Sequence, residues 1–241
     1  MSRIILVTGS NTGIGFELVR LLAEKKHVVY LAARNEAAGK EAQQKLVSDS
    51  LSTVKFVHLD VNDAASVKAA AQTVSSAEGH LDVLVNNAAI SKIEAGQHPA
   101  SVGLATIREA METNFYGLIQ TTIAFIPLLR KSNNPVILNV STELASNSYQ
   151  AREGAHAHFV AYNSSKAAAN SYTISLAQEL KKDGFKVNAV TPGYTSTKLN
   201  NFGQGAKTAR AGADSLLPWA LLEKDGPTCK FIDDKGKEFP W

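Results

Sequence analysis

The chain is short of several things, and each shortage narrows what it does. It has one cysteine, Cys229, so no internal disulfide forms and no cysteine cluster holds zinc. That usage fits a reducing compartment, and the cytoplasm is the expected location. Nothing approaches the run of about eighteen apolar residues that a membrane span needs. Met1-Ser2-Arg3 leads straight into a strand rather than a signal peptide, so neither a membrane nor export is expected. Twenty-five basic residues stand against 22 acidic, a formal charge of +3. They are scattered, without the positive stripe that nucleic acid requires. No Pro/Gly/Ser-rich linker and no internal repeat divides the chain. What remains, 44% hydrophobic and 20% charged over 241 residues, reads as one globular domain spanning residues 1–241.

Short apolar runs alternate with amphipathic stretches along that domain. Arg3–Thr8, His27–Ala33, Val54–Leu59, Leu81–Val85, Pro135–Val140 and Phe185–Thr191 read as strands, with Lys230–Ile232 as a possible seventh. Near-continuous apolar character fits strands buried on both faces of a parallel sheet. Helical spacing runs from Ile14 to Lys26, Asn35 to Val47, Asp63 to Ala77, about Thr106 to Arg130 (one helix or two) and Val160 to Lys182. Asn62 or Asp63 supplies the cap of the third. This order predicts an α/β fold with a doubly wound parallel sheet, whose strand carboxyl ends gather ligands on one edge.

The first strand runs into Thr8-Gly9-Ser10-Asn11-Thr12-Gly13-Ile14-Gly15. Gly9 permits a tight turn, Gly13 lets a pyrophosphate approach the backbone, and Gly15 lets the helix pack against the sheet. Free N–H groups at the helix start near Ile14 suit phosphate oxygens. A fold of this kind that selects NAD usually ends its second strand in an acid. Here the place reads Ala33-Arg34-Asn35, and a guanidinium there pairs with a 2′-phosphate. NADP(H) is the expected cofactor, with Arg34 as its clamp, although Asn11 and Thr12 add no second positive charge in the turn.

Tyr162-Asn163-Ser164-Ser165-Lys166 places a phenol and an amine one helical turn apart. A free tyrosine, with a pKa of about 10, is a poor acid–base group near neutrality. A neighbouring ammonium favours the phenolate, and Lys166 is expected to lower the Tyr162 pKa in this way.

Taken together, the glycine turn, Asp60, Asn86-Asn87-Ala88, Asn114, Tyr162/Lys166 and Pro192-Gly193 resemble the short-chain dehydrogenase/reductase family in order and spacing over the whole chain. The resemblance implies a single-domain Rossmann fold and a small-molecule substrate. It implies that Gly9, Ser10, Asn11, Gly13, Ile14, Gly15, Arg34, Asn35, Asp60, Val61, Asn87 and Ala88 line the cofactor. Pro192, Gly193, Thr195 and Thr197 are implied to meet its nicotinamide end. Tyr162 becomes the proton donor, Lys166 holds the nicotinamide ribose, and Asn114 holds a water of the proton relay.

The chain departs from the family's pattern in two places. Where two serines usually follow the fifth strand, it has Ser141-Thr142. The carbonyl-polarising hydroxyl is assigned to Thr142, with Ser141 as the alternative. Twenty residues then separate Thr142 from Tyr162, longer than usual, through an insertion at about 146–160 that carries Tyr149, Arg152, His156 and His158. The two histidines lack a third ligand, so no metal is expected. The insertion is read as hindering dimer packing or walling the substrate pocket, leaving a monomer or a small homo-oligomer. Gly203, Gly205 and Gly212 mark a mobile substrate loop at about 197–214. The chain most resembles carbonyl reductases, and the expected reaction is NADPH-dependent reduction of a ketone or aldehyde. The alternatives are the reverse alcohol oxidation and a redox-inactive, NADP(H)-binding regulatory role.

Overall fold

The strand β1 (Ile4–Val7) shows why the apolar runs are nearly continuous. Ile5 and Val7 point into one core and Leu6 into another, all three fully hidden. Both faces of the sheet are covered, as a parallel sheet requires. The computed structural model describes residues 2–155 and 159–241. His156 and His158 lie outside the described residues.

Alternation gives β1, α1 (Gly13–Glu24), β2 (Val28–Ala33), α2 (Glu36–Ser48), β3 (Val54–His58), α3 (Ala64–Glu78) and β4 (Val83–Asn86). There follow α4 (Leu104–Met111), α5 (Gly117–Leu129), β5 (Val136–Val140), the short α6 (Asn147–Gln150) and α7 (Val160–Glu179). The chain closes with β6 (Lys186–Val190), α8 (Ala209–Ala220) and β7 (Phe231–Ile232). The seven strands pair in the order β3-β2-β1-β4-β5-β6-β7, every pairing parallel. This is a doubly wound, Rossmann-type α/β sheet. One core holds Val19, Leu22, Leu138 and Leu216 from the face covered by α1 and α8. The other holds Val74, Phe125, Ile137 and Leu176 from the face covered by α3, α5 and α7.

Asp63 caps α3, its side chain accepting from the Ala65 N–H. The tract expected from about Thr106 to Arg130 begins at Leu104 and is two helices joined by one wider π turn, Glu112–Tyr116. The loop expected at about 197–214 ends at Thr208, whose hydroxyl caps α8. Gly212 is therefore not a hinge. It lies inside α8, where a Cβ would stand 2.8 Å from Thr195 Oγ1, so it serves close packing. A helix with Gly212 and Pro218 in its interior carries two poor helix formers, which hid it from the periodicity.

Candidate active site

The carboxyl ends of β1, β2, β4, β5 and β6 surround one cleft of about 880 Å³. At its β1–β2 end the chain offers mostly backbone. Gly9 and Gly13 have φ of +59° and +61°, the left-handed region that glycine enters without strain. A Cβ on Gly9 would stand 2.8 Å from Ala88 Cα, and one on Gly15 would meet the Asn87 side-chain amide. The Asn87 amide donates to the carbonyls of Thr8 (2.8 Å) and Gly9 (3.0 Å), holding the turn open. Thr12 precedes α1 without a side-chain cap, so the first N–H groups of that helix stay available at the cleft. Arg34 is exposed at the cleft wall and has no ion pair among the described residues. Asn35 beside it caps α2 through the Ala38 N–H. Asp60 accepts from the Asn62 N–H and lines the cleft with Val61.

At the other end, side chains converge. Tyr162 and Lys166 project from the first two turns of α7 into the cleft. Burial pushes the Tyr162 phenol up to about 12, offset in part by a hydrogen bond from the Thr142 side chain. Burial pulls the Lys166 amine down to about 8, and its Nζ donates to the Val140 carbonyl at 2.9 Å. The expected lowering of the phenol by its lysine neighbour is thus not found within the chain. Desolvation disfavours both charged forms, and the ammonium is turned to a backbone oxygen. Ser141 lines the cleft but its buried hydroxyl donates to Asn170 Oδ1 at 2.7 Å, whereas the Thr142 side chain acts on the phenol and pulls its pKa back down.

Several residues assigned to the cofactor sit elsewhere. Ser10 is fully buried, its hydroxyl donating to the Val7 carbonyl and accepting from the Ala32 N–H, so it ties β1 to β2 and is not at the cleft. The Thr195 hydroxyl turns back to the carbonyls of Pro192 and Gly193. Gly193 itself packs against Asp234. Pro192 and Thr197 do line the cleft. Asn114 lies in the π turn, fully buried. Its side chain accepts from the Ile90 N–H and donates to the Ile90 carbonyl and to Ser165 Oγ. Both Nδ2 hydrogens are thereby committed, so a water at Asn114 would be held by a carbonyl oxygen rather than by the side-chain N–H groups.

Three residues from segments expected to form the substrate pocket, 90–97 and 197–214, but given no role of their own by sequence reasoning, also meet here. Lys198 lines the cleft beside the glycine turn, since a Cβ on Gly13 would lie 3.4 Å from the neighbouring Thr197 methyl. Ser91 at the cleft and the buried Gln97 behind it belong to the loop after β4. A cation directly following Thr197 was a usable signal for Lys198, but nothing in the local sequence marks Gln97. The insertion folds partly as α6 and packs on the carboxyl-terminal segment. The Tyr149 ring lies tilted at 48° with its centroid 5.5 Å from that of Phe239, and the hydroxyls of Ser146 and Ser148 donate to the Trp241 carbonyl. Among the described residues no group of three or more His, Cys, Asp or Glu is placed to hold a metal ion, and no helix is long and apolar enough to cross a membrane.

The family model for short chain dehydrogenases matches residues 3–206. The chain belongs to the short-chain dehydrogenase/reductase family. It is an enzyme of that type and resembles the family's carbonyl reductases. It is 32% identical to the (+)-neomenthol dehydrogenase of Capsicum annuum, covering 99% of this chain and 98% of that protein. It is 33% identical to the (−)-isopiperitenone reductase of Mentha piperita, over 98% of both. The solved NADPH-bound carbonyl reductase from chicken fatty liver superposes with a TM-score of 0.88 at 26% identity, over 100% of this chain and 99% of that one. The pepper alignment runs over 309 positions against the 241 residues here, so that short-chain dehydrogenase carries interior segments with no counterpart in this one.

Proposed function

We propose that the protein is an NADPH-dependent reductase of ketones or aldehydes, with Tyr162 as proton donor. The observation that carries the reading is Tyr162 with Lys166 at one end of a cleft whose other end is the glycine turn and Arg34, which has no ion pair among the described residues. The residues present fit the dinucleotide. Gly9, Gly13 and the uncapped start of α1 suit its pyrophosphate. Arg34 suits a 2′-phosphate, and Lys198, free of ion pairs among the described residues, adds positive charge beside the turn. The NADPH-bound carbonyl reductase of the same fold supports the same cofactor.

NADPH, when bound, supplies the hydride. The protein's own part is to bind and polarise the carbonyl and to deliver a proton. A phenol held at about 12 is neutral at pH 7, the form that donates. With the phenol's own proton directed at the substrate, the single hydroxyl proton of Thr142, beside it, is left for the carbonyl oxygen. Lys166, anchored on the Val140 carbonyl, presents its amine to the cleft one turn behind Tyr162, in position for a ribose hydroxyl. The substrate is a small carbonyl compound whose identity does not carry over from the plant relatives, because interior segments of those proteins are missing here. NADPH consumption at 340 nm with activated ketones tests the reading. Tyr162→Phe is expected to lower kcat by about 10²- to 10⁴-fold with NADPH affinity retained; undiminished turnover overturns the assignment.

A further inference from the structure

Helix α7 carries the proposed acid in its first turn, yet its N-cap residue Phe159 offers no side-chain cap. The orphan N–H groups of a helix start need partners. They find them in Gln97, a residue 65 positions away and 3% exposed. The Gln97 side-chain oxygen accepts from the Tyr162 N–H at 3.0 Å, and its main-chain carbonyl accepts from the Val160 N–H at 3.2 Å. The same side chain uses its other end: Nε2 donates to the Ser91 carbonyl at 2.6 Å. Ser91 Oγ in turn donates to the Leu199 carbonyl. Leu199 lies with Lys198 and Asn201 in the segment over the cleft, next to Thr197, which faces Gly13 of the glycine turn.

We infer that Gln97 is a positioning residue that caps the catalytic helix from another loop and couples the 197–201 segment over the cofactor cleft to Tyr162. The chain of contacts is continuous: Leu199 carbonyl, Ser91, Gln97, Tyr162 N–H. The other main-chain group of Tyr162 is fixed from the same side. Its carbonyl accepts from Ser165 Oγ at 2.8 Å, and Ser165 is held by Asn114, which clamps Ile90 beside Ser91. The loop after β4 thus holds the Tyr162 N–H directly through Gln97, and its carbonyl only indirectly, through Ser165 of α7 and Asn114 of the π turn. A shift of that loop when the 197–201 segment engages a ligand moves the phenol, and a reacting group displaced by about 1 Å loses up to about 100-fold in rate. A glutamine is suited to the place because one end must accept and the other donate.

This inference rests on Tyr162 being the proton donor, so the test includes Tyr162→Phe separately; if that variant keeps its activity, the donor reading fails whatever Gln97 does. Gln97→Leu removes both side-chain bonds. Gln97→Glu keeps an acceptor for Tyr162 N–H but cannot donate to Ser91. Ser91→Ala cuts only the link to Leu199. The readouts are kcat with an activated ketone, its pH profile, NADPH affinity by fluorescence titration, and the NADP⁺ release rate by stopped flow. Gln97→Leu is expected to lower kcat about 10- to 100-fold and to displace the pH profile, with NADPH affinity within about threefold. Gln97→Glu is expected to restore most of kcat while releasing NADP⁺ faster, and Ser91→Ala to speed release without moving the pH profile. If Gln97→Leu fails to fold, the last two variants decide. The inference is overturned if all three leave the release rate unchanged, or if Leu and Glu lower kcat equally with an unmoved pH profile.

Discussion

The β1–β2 end and the β4–β6 end of the cleft are built by different means. The first is backbone: two glycines at positive φ, a helix start without a cap, and an Ala88 Cα so close to Gly9 that no side chain fits. The second is built by side chains from segments far apart in sequence, in which Leu199, Ser91, Gln97 and Tyr162 are linked in series through the Ser91 and Gln97 side chains. A backbone-built site depends on conformations that few residue types adopt, whereas a side-chain-built site depends on who meets whom. The two ends should therefore respond differently to substitution: chemistry should fail at one and binding or folding at the other.

The sharpest break comes at the side-chain end. Thr142→Ala is expected to lower kcat by about 10²- to 10³-fold, as loss of a polarising donor does, with NADPH affinity intact by fluorescence titration. Ser141→Ala removes a buried hydrogen bond to Asn170. It is expected to cost about 1 kcal/mol of stability in urea unfolding, with kcat changing by less than about threefold on the scale of that bond. A reversal of this contrast would hand the catalytic hydroxyl to Ser141.

At the backbone end, Gly9→Ala combines strain with a collision. It is expected to cost about 2–4 kcal/mol in urea unfolding and to weaken NADPH binding at the same time. Gly205 isolates the first of these effects, since its φ is +76° and nothing lies within 4 Å of a Cβ there. Gly205→Ala should cost only about 1 kcal/mol. Equal losses for the two variants would mean that the approach of Ala88 to the turn carries no weight.

Positive charge offers a gentler comparison within the cofactor site. Arg34→Ala is expected to weaken NADPH about 10- to 100-fold, the scale of a charge-assisted pair, and to leave NADH almost untouched. Lys198→Ala is expected to weaken both cofactors alike, about threefold, and to flatten the salt dependence of binding. Equal losses of NADPH and NADH in Arg34→Ala would remove the 2′-phosphate clamp.

What the sequence made legible follows the same division. The parallel sheet could be read because strands such as Val28–Ala33 must be apolar on both faces. The glycine turn could be read because only glycine tolerates its φ values. Asp63 could be read as a possible cap because its chemistry is local. Ser10 misled for a related reason: within a nucleotide-binding loop its hydroxyl was free to serve the ligand, but the ends of β1 and β2 claimed it. The Tyr162 pKa misled because spacing showed Lys166 one turn away but not that the Val140 carbonyl takes its ammonium. The capping role of Gln97 was out of reach, because a glutamine in a polar loop has no pattern until the fold brings the start of α7 to it.

The smallest expected effect tests the charge just beyond β5 without touching the chemistry. Glu143, next to Thr142, is half-buried, and burial together with Asp234 and Asp233 holds its carboxyl above the usual range, against the opposing pull of Lys207 and Lys235. The folded protein thus favours the protonated form more than the unfolded chain does. At neutral pH both states are ionised and folding carries a cost. As pH falls through the raised native value toward the ordinary carboxylate value of about 4.3, the cost is relieved and stability rises. Glu143→Gln has no such dependence. It is expected to raise Tm by about 1–2 °C at pH 7–8, an effect kept small by solvent screening. The gain should shrink on acidification and vanish below about pH 4, where both states of the parent are protonated. A gain that persists unchanged at that pH would mean that the charge is not its source. The carboxyl end of β5 would then lack the electrostatic tension that separates it from the neutral backbone cradle at β1.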